Sequence, residues 1–419
     1  MPLNLLLLKR WLVGAGIIIV LLLLFQEQLP TVTDLRGHGH GHGHVDRDGF
    51  VSRTKMLTVV REWQKREGIS KIVGLVFYQK RQQASILDCY LKVRRSSACQ
   101  DVLIARPFPR LSLTLFAEQR NLAKNGGVLD KVIWLRQTDD ARDVEFLDKL
   151  VRSEAHYSWL RHEGSDERAY DGVQDDLLYI KVDSGIVYVE DGTILSMAHT
   201  RATRPDFYLV SANVVNQPLS SWLHLSLGAV RPYLPDNETW TPVEAGSGVN
   251  WRPSRLPSWR GPPDFDVDKW NPPADRQHLW LPVTGKKDHL LHNTPIVHTV
   301  YDAYKDQGKW KWMAAAQQHY SLLENLERGE LSKYKFHLWN YQDLGMGTQL
   351  VAMTGKDINA AKPIEAAAEI HFAVTMPRKL GRHQSEGLGQ TDILERYRSF
   401  AQEHACKGRM LWTPSADHV

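Results

Sequence analysis

The chain has 419 residues, of which 42% are hydrophobic and 24% charged, and its formal net charge is +4. This composition is typical of a globular protein with a substantial core, and it excludes an intrinsically disordered chain. The charges are mixed along the chain without a basic arm, so no nucleic-acid partner is expected. The three cysteines, Cys89, Cys99 and Cys406, are too few for a disulfide framework or a zinc cluster, and they leave open one bridge with a free thiol.

An uncharged apolar run at residues 11–25 follows Lys9 and Arg10. It is somewhat shorter than a full bilayer crossing, but the apolar residues before it can extend the span. A cleaved signal peptide has a similar basic start, yet no small-residue cleavage pattern follows, so we expect a retained membrane anchor. The positive charge predicts a cytosolic tail at residues 1–10 and a lumenal remainder. A short span suits the early secretory pathway, and we expect a Golgi membrane.

Residues 26–70 are interpreted as a flexible stem. They include G-H-G-H-G-H-G-H at 37–44, in which alternating glycine cannot hold a packed structure. The four histidines could bind a transition metal loosely, which would suit a lumenal metal-handling protein, but a low-complexity spacer is the better interpretation. A short amphipathic helix is predicted at 54–67.

Strands alternate with helices from Lys71 onwards. The first predicted strand, Lys71–Tyr78, is a continuous apolar run typical of a strand buried on both faces. Further strands are predicted at 131–135, Leu177–Val182, 207–214, 348–354 and 371–377, and helices at 83–91, 140–154, 192–202, 309–329 and 392–403. This alternation predicts an α/β fold with a mainly parallel sheet, whose ligands would lie at the carboxyl ends of strands.

A segment rich in proline and tryptophan, residues 232–283, interrupts this alternation. A loop of this length is either functional or disordered, and the tryptophans argue against full disorder. Two interpretations stay open. The segment is either a lid whose rings stack on sugars or a belt wrapped on the domain surface, and we favour the belt.

The stretch Y-I-K-V-D-S-G-I-V-Y-V-E-D at 179–191 is predicted to be a strand, a sharp acidic turn and a second strand. An acidic turn at a strand end can present a metal ion to a diphosphate. Such a turn needs several carboxylates, whereas here Asp183 is followed by Ser184 and Gly185. The stretch therefore predicts either a reduced metal site or an ordinary hairpin.

Several segments together resemble a family of largely uncharacterised fungal proteins with a single N-terminal anchor and a glycosyltransferase-A-like (nucleotide-diphospho-sugar transferase) domain. They include I-V-G-L-V-F-Y, R-N-L-A-K-N-G-G-V-L-D-K-V-I-W-L, Y-I-K-V-D-S-G-I-V-Y-V, V-S-A-N-V-V-N and A-A-Q-Q-H-Y-S-L-L-E-N-L-E. The resemblance covers most of residues 71–403. It implies a mixed, mainly parallel sheet flanked by helices behind an N-terminal transmembrane helix, and transfer of a sugar from a nucleotide-sugar donor to a glycan acceptor.

The resemblance also assigns the parts of the chain. Residues 71–231 would be the nucleotide-sugar-binding half, 284–405 the acceptor-side half and 406–419 a tail. Residues 93–119 are foreign to the family. Because this segment begins with Val-Arg and ends with Gln, as a translated intron can, we interpret it as a gene-model insertion or a tolerated surface loop. Sequencing the transcript would decide between the two.

The site residues implied by the resemblance depart from the family pattern. The family turn K-I-D-D-D-I-V-Y-I keeps only Asp183 here, as a ligand for Mn²⁺ or Mg²⁺ or for the nucleotide, with Ser184 beside it. A late family histidine segment is missing, which leaves His383 as a weak replacement metal ligand. The family G-D-D appears as G-K-D, which makes Asp357 the candidate general base.

Lys181 and Arg231 are candidate phosphate partners, and both are equally interpretable as structural charges. Because the acidic motif is reduced, two readings of function stay open. The first is a lumenal glycosyltransferase with weakened or lost metal dependence. The second is a catalytically degenerate relative that acts as an anchored binding or scaffold protein.

Overall fold

A computed structural model of the protein describes residues 51–92, 121–162, 169–236, 249–262, 264–267, 269–270, 278–284, 291, 293–298, 310–336, 347–362, 391–406 and 410–412. The predicted anchor at 11–25, the atypical segment 93–119, the strand predicted at 371–377 and His383 lie outside these ranges. Among the described residues, no helix is both long and apolar enough to cross a membrane.

Eight strands are present in the described residues. They are β1 (Lys71–Tyr78), β2 (Lys131–Arg136), β3 (Tyr157–Arg161), β4 (Leu177–Val182), β5 (Val210–Ser211), β6 (Tyr233–Pro235), β7 (Trp280–Pro282) and β8 (Leu350–Thr354). Six of them form one sheet in the order β3-β2-β1-β4-β8-β5, and β6 pairs with β7 separately. β1 is parallel to β2 and β4, and β2 is parallel to β3, whereas β8 is antiparallel to both β4 and β5. The predicted mixed, mainly parallel sheet is therefore confirmed.

Eight α-helices are present in the described residues, and several of them cover the sheet. They are α1 (Arg53–Glu67), α2 (Arg81–Leu91), α3 (Ala141–Arg152), α4 (Thr193–Thr203), α5 (Pro218–Ser226), α6 (Trp310–Arg328), α7 (Gly355–Ala360) and α8 (Ile393–Phe400). On one face, Val60 of α1, Phe146 of α3 and Ile194 of α4 share a buried cluster with the strand residues Ile72 and Ile180. Alternate residues of a strand point to opposite faces. The run K-I-V-G-L-V-F-Y places apolar residues on both faces, so both faces must be covered.

The opposite face of the sheet is covered by a smaller cluster. Val73 and Tyr179 on the strands pack there with Ile358 of α7 and with Tyr170, which lies in the connection before β4. The central strands β1 and β4 are thus buried on both faces.

A second, aromatic cluster is built around α6 and α8. Trp280 of β7 packs edge-on against Trp312, with ring centroids 6.3 Å apart, and Trp251 packs against Phe400 at 4.8 Å. Trp251 and Trp280 are both buried. The described part of the proline- and tryptophan-rich segment therefore serves as packing, and these two rings are not presented for stacking on sugars.

One disulfide joins Cys89 of α2 to Cys406, which follows α8, and the two Cα atoms lie 5.0 Å apart. The bridge spans 317 residues, so it removes many conformations from the unfolded chain. Of the pairings that the sequence leaves open, the structure contains this one. Cys99 lies outside the described residues.

Several elements differ from the sequence predictions. α1 was assigned to the stem, but Val60 and Trp63 bury it in the core, so the folded unit begins at Ser52. The strand predicted at 207–214 is wrong for most of its length, because only Val210–Ser211 pairs with β8. β3 and α5 were not predicted. β3 is an edge strand with half-exposed residues, and α5 begins at a glutamine cap, Gln217, rather than at a usual Ser, Thr, Asp or Asn cap.

Candidate functional site

The turn after β4 lies at the carboxyl end of that strand, as predicted. The Asp183 N–H donates to the Gln349 carbonyl at 2.8 Å, and the Ile186 N–H donates to the Asp183 carbonyl at 3.1 Å, which closes the turn. The second strand expected after the turn is wrong, since no ladder forms there. Instead Val187 and Tyr188 pack against the aromatic cluster around α6 and α8. The hairpin interpretation therefore does not describe this stretch.

Strand order makes this end of β4 a topological switch point. The chain leaves β1 for β2 and β3 on one side and returns to β4 on the other side of β1. In open α/β sheets, ligands bind in the crevice at the carboxyl ends of the two strands where the order reverses. Val76 pairs with Val182, so the residues that follow each, Phe77 and Asp183, lie side by side at this crevice.

Asp183 is paired with a buried lysine. Lys181 Nζ lies 2.6 Å from Asp183 Oδ1, and the side chains of the two residues are 2% and 12% exposed. The same ammonium donates to the Thr348 carbonyl at 2.9 Å and lies over the Phe77 ring at 5.2 Å. A buried ion pair needs such additional partners to offset its lost hydration. The pair also ties the end of β4 to residues 347–349, which precede β8.

The described residues around the turn do not fit a Mn²⁺ or Mg²⁺ site. Both ions need several oxygen ligands, and this turn offers one carboxylate that is already neutralised by Lys181. The next two carboxylates in the sequence are held elsewhere. Glu190 pairs with Lys335 at 3.3 Å and Asp191 with Arg53 at 3.3 Å. Within the described ranges, no group of three His, Cys, Asp or Glu side chains is gathered as for a metal ion.

Asp357, the candidate general base, lies at the opposite end of the sheet. β8 runs antiparallel to β4, so Leu350 pairs with Val182 beside the turn, whereas Thr354 pairs with Leu178. Four residue steps along a strand correspond to about 13 Å. The structure therefore does not bring Asp357 and Asp183 into one site.

The surroundings of Asp357 are those of a helix cap. Its N–H donates to Thr354 Oγ1 at 3.2 Å, and the Thr354 hydroxyl donates back to its carboxylate at the start of α7. Arg201 of α4 also lies 2.7 Å from that carboxylate. The Thr354 hydroxyl thus caps α7 and also holds the carboxylate of Asp357, the third residue of that helix. The ion pair with Arg201 holds α7 and α4 together at the end of the sheet that is remote from the switch point.

Arg231, the second candidate phosphate partner, belongs to a network on α6. Its guanidinium donates to Asn325 Oδ1 at 3.2 Å and to the Glu330 carboxylate, and lies 3.5 Å from Glu324. Its N–H donates to the Ser321 hydroxyl at 2.9 Å. These contacts fit the alternative interpretation of Arg231, that of a structural charge. They join Arg231 to α6 rather than to the turn after β4.

Residues at the same edge as Asp183 were missed as site candidates. β5 runs in the same direction as β4, so the loop that follows it, residues 212–217, reaches the switch-point edge. There Asn213 donates to the Tyr334 carbonyl at 2.7 Å, and its Oδ1 lies 2.8 Å from His224 Nε2. Asn216 has a φ of 74°, the one positive φ among described residues other than glycine. Asparagine tolerates this conformation, which is often found at functional turns.

His224 is held in the neutral form in this cluster. Its residue is 1% exposed, and its ring packs on Tyr334 with centroids 4.8 Å apart. Burial lowers the pKa of His224 to about 4. The segment V-S-A-N-V-V-N contributed to the family resemblance, but nothing in its spacing singled out Asn213, because its partner Tyr334 lies far along the chain.

Comparison of the chain with models of known protein families, with curated proteins and with solved structures found no match. The resemblance to the fungal glycosyltransferase-A-like family therefore stays a prediction, and the site itself carries the functional argument.

Proposed function

We propose that this protein is a glycosyltransferase-like protein of the secretory pathway, whose crevice between the carboxyl ends of β1 and β4 binds a nucleotide sugar for transfer to a glycan or glycoconjugate. The observation that carries the proposal is the switch point at Asp183. A mixed, mainly parallel sheet with an acidic residue at that position is what the family resemblance implies.

The proposed location follows from the sequence and is supported by the disulfide. Residues 11–25 would anchor the chain in a Golgi membrane with the folded unit in the lumen. A disulfide between Cys89 and Cys406 persists in an oxidising compartment such as the secretory pathway, and is rare in the cytosol.

A second candidate is a catalytically degenerate relative that binds a nucleotide sugar or a glycan without transferring sugar. The observation that favours it is the distance between Asp357 and the turn after β4. A general base must lie within hydrogen-bond reach of the proton that it removes. Asp357 cannot serve a donor bound at Asp183, so transfer would need a base other than the one that the sequence predicted.

Thermal unfolding of the purified chain with a panel of UDP- and GDP-sugars tests the proposal. A ligand at 100 times its dissociation constant adds about 2.7 kcal/mol to the free energy of unfolding, which raises the Tm by several degrees. A donor that shifts the Tm and whose sugar is released or transferred supports the transferase. A shift without turnover supports the degenerate relative, and a folded protein that responds to no donor would overturn the transferase.

A further inference from the structure

The end of β4 combines the position of a ligand site with an unusual charge balance. The carboxylate of Asp183 is the acidic group of the turn, and a lysine with a 2% exposed side chain lies 2.6 Å from it. The same Lys181 ammonium also donates to the Thr348 carbonyl. An oxygen-ligated dication would have to displace this ammonium from Asp183, or share a carboxylate whose charge is already balanced.

We propose that Lys181 takes the place of a divalent cation at the end of β4, so that the turn is not a metal site and the crevice binds its ligand without Mn²⁺ or Mg²⁺. The ligand class rests on the proposed function, whereas the exclusion of a cation rests on the Lys181–Asp183 pair and on the single carboxylate of the turn. The pair balances the charge of the turn from within and fixes the position of residues 347–349 at the crevice wall.

Packing does not prevent the turn from carrying more carboxylates. A Cβ atom added at Gly185 would meet no heavy atom within 4 Å, and the backbone there does not have the positive φ that requires glycine. Ser184 is half-buried and Gly185 is exposed. An aspartate at each position is therefore expected to fold, which makes the missing ligands a property of this chain that substitution can reverse.

The test is a titration of the full chain with Mn²⁺, in which the electron paramagnetic resonance signal of the free ion measures how much Mn²⁺ remains unbound. Five proteins are compared, namely the wild type, Asp183→Asn, Ser184→Asp/Gly185→Asp, the same double variant with Lys181→Met added, and the matched neutral control Ser184→Asn/Gly185→Asn. The histidines at 37–44 are common to all five, so only differences between them are assigned to the turn.

We expect the wild type, Asp183→Asn and the neutral control to titrate identically, because the turn contributes no Mn²⁺ binding. The Ser184→Asp/Gly185→Asp variant should bind one additional Mn²⁺. Its affinity for that ion should be at least about tenfold higher than that of the neutral control, since it gains two carboxylate ligands. Mn²⁺ binding by the wild type that is lost in Asp183→Asn would overturn the proposal. Adding Lys181→Met to the aspartate variant should tighten Mn²⁺ binding further, because the ammonium then no longer competes for the Asp183 carboxylate, and equal affinities of the two aspartate variants would contradict the proposal.

UDP and GDP binding is measured in parallel, by thermal shift in EDTA and in Mn²⁺. Equal shifts in the two buffers support a cation-free site, and a shift that disappears in EDTA overturns it. If neither nucleotide binds in either buffer, the proposed function fails, whereas the Mn²⁺ titration still decides whether Lys181 replaces the cation. The two failures are therefore distinguishable.

Discussion

Asp183 and Asp357 lie at opposite ends of the antiparallel pair β4 and β8, and each forms an ion pair with a basic side chain. Asp183 follows the strand at the switch point, and its lysine is buried beneath it. Asp357 lies in the first turn of α7 at the far end, where its side chain is 26% exposed and its carboxylate accepts a hydrogen bond from the Thr354 hydroxyl. Two aspartates that the sequence assigned to one reaction thus have separate surroundings, and only one of them lies where ligands bind in such sheets.

The comparison teaches that strand direction, more than residue type, decides which acidic residue can belong to the site. β8 returns antiparallel to β4, so a residue that follows β8 is carried away from the edge that residues following β4 and β5 share. Asn213 and its hydrogen-bond partner His224 are not acidic, yet they belong to the end of the sheet that holds the candidate site. Asp357 lies at the other end.

The largest expected change in the free energy of unfolding concerns the Lys181–Asp183 pair, compared with the Arg201–Asp357 pair. Lys181→Met leaves the buried carboxylate of Asp183 without its countercharge, which should lower the free energy of unfolding by about 3 to 5 kcal/mol. Urea unfolding measures it. Removing both charges in Lys181→Met/Asp183→Leu should restore most of the loss. Arg201→Met at the more exposed pair should cost about 1 kcal/mol, and equal losses for Lys181→Met and Arg201→Met would break the comparison.

A smaller effect tests His224 of α5, whose ring contacts Asn213 in the loop after β5. Burial lowers the pKa of His224 to about 4, below the ordinary value of 6.5. Well above pH 6.5 the imidazole is neutral in both the folded and the unfolded state. As the pH falls from 6.5 towards 4, the unfolded chain binds a proton that the folded chain does not, so the free energy of unfolding falls by up to about 3 kcal/mol.

His224→Gln should flatten this part of the pH profile, measured by urea unfolding at intervals between pH 7 and pH 4. Burial also lowers the pKa of His278 and of His319 to about 4, so these two histidines supply a remaining acid sensitivity that the variant keeps. Coincident profiles for wild type and variant would show that His224 is not held neutral by the fold.

The smallest effect concerns the helix cap. Asp357→Asn weakens the hydrogen bond from the Thr354 hydroxyl and removes the charge pair with Arg201, and should lower the free energy of unfolding by about 1 kcal/mol. Nucleotide affinity should not change, because Asp357 lies at the remote end of β4. A variant with unchanged stability but abolished turnover would restore Asp357 as a catalytic residue and contradict the separation of the two ends.

The central sheet could be predicted because its signal is local. K-I-V-G-L-V-F-Y and L-L-Y-I-K-V are short apolar runs bounded by polar residues, and both are strands. β3 could not be found in the same way, since Y-S-W-L-R lies at an edge and only Tyr157 is buried. α1 was misassigned because its sequence is mostly polar, and the burial of Val60 and Trp63 depends on the distant helix α4.

The candidate site was predictable only in part. The position of Asp183 at a strand end followed from the pattern of Leu177–Val182, and the structure confirms it. The pairing of Asp183 with Lys181 could not be predicted from this pattern. Residues i and i+2 of a strand lie on the same face, but their side chains do not always touch. The separation of Asp357 depends on the antiparallel entry of β8 between β4 and β5, and strand direction is not encoded in the residues near Asp357.

Hydrogen exchange of the full chain, with and without saturating UDP or GDP and in the presence of EDTA, tests the central claim most directly. Backbone amides report ligand contact along both ends of the sheet in one experiment. We predict increased protection at 183–186 and 347–349, beside the Lys181–Asp183 pair, and unchanged exchange at 354–358. Protection confined to 354–358, or protection at 183–186 only when Mn²⁺ is added, would contradict the account.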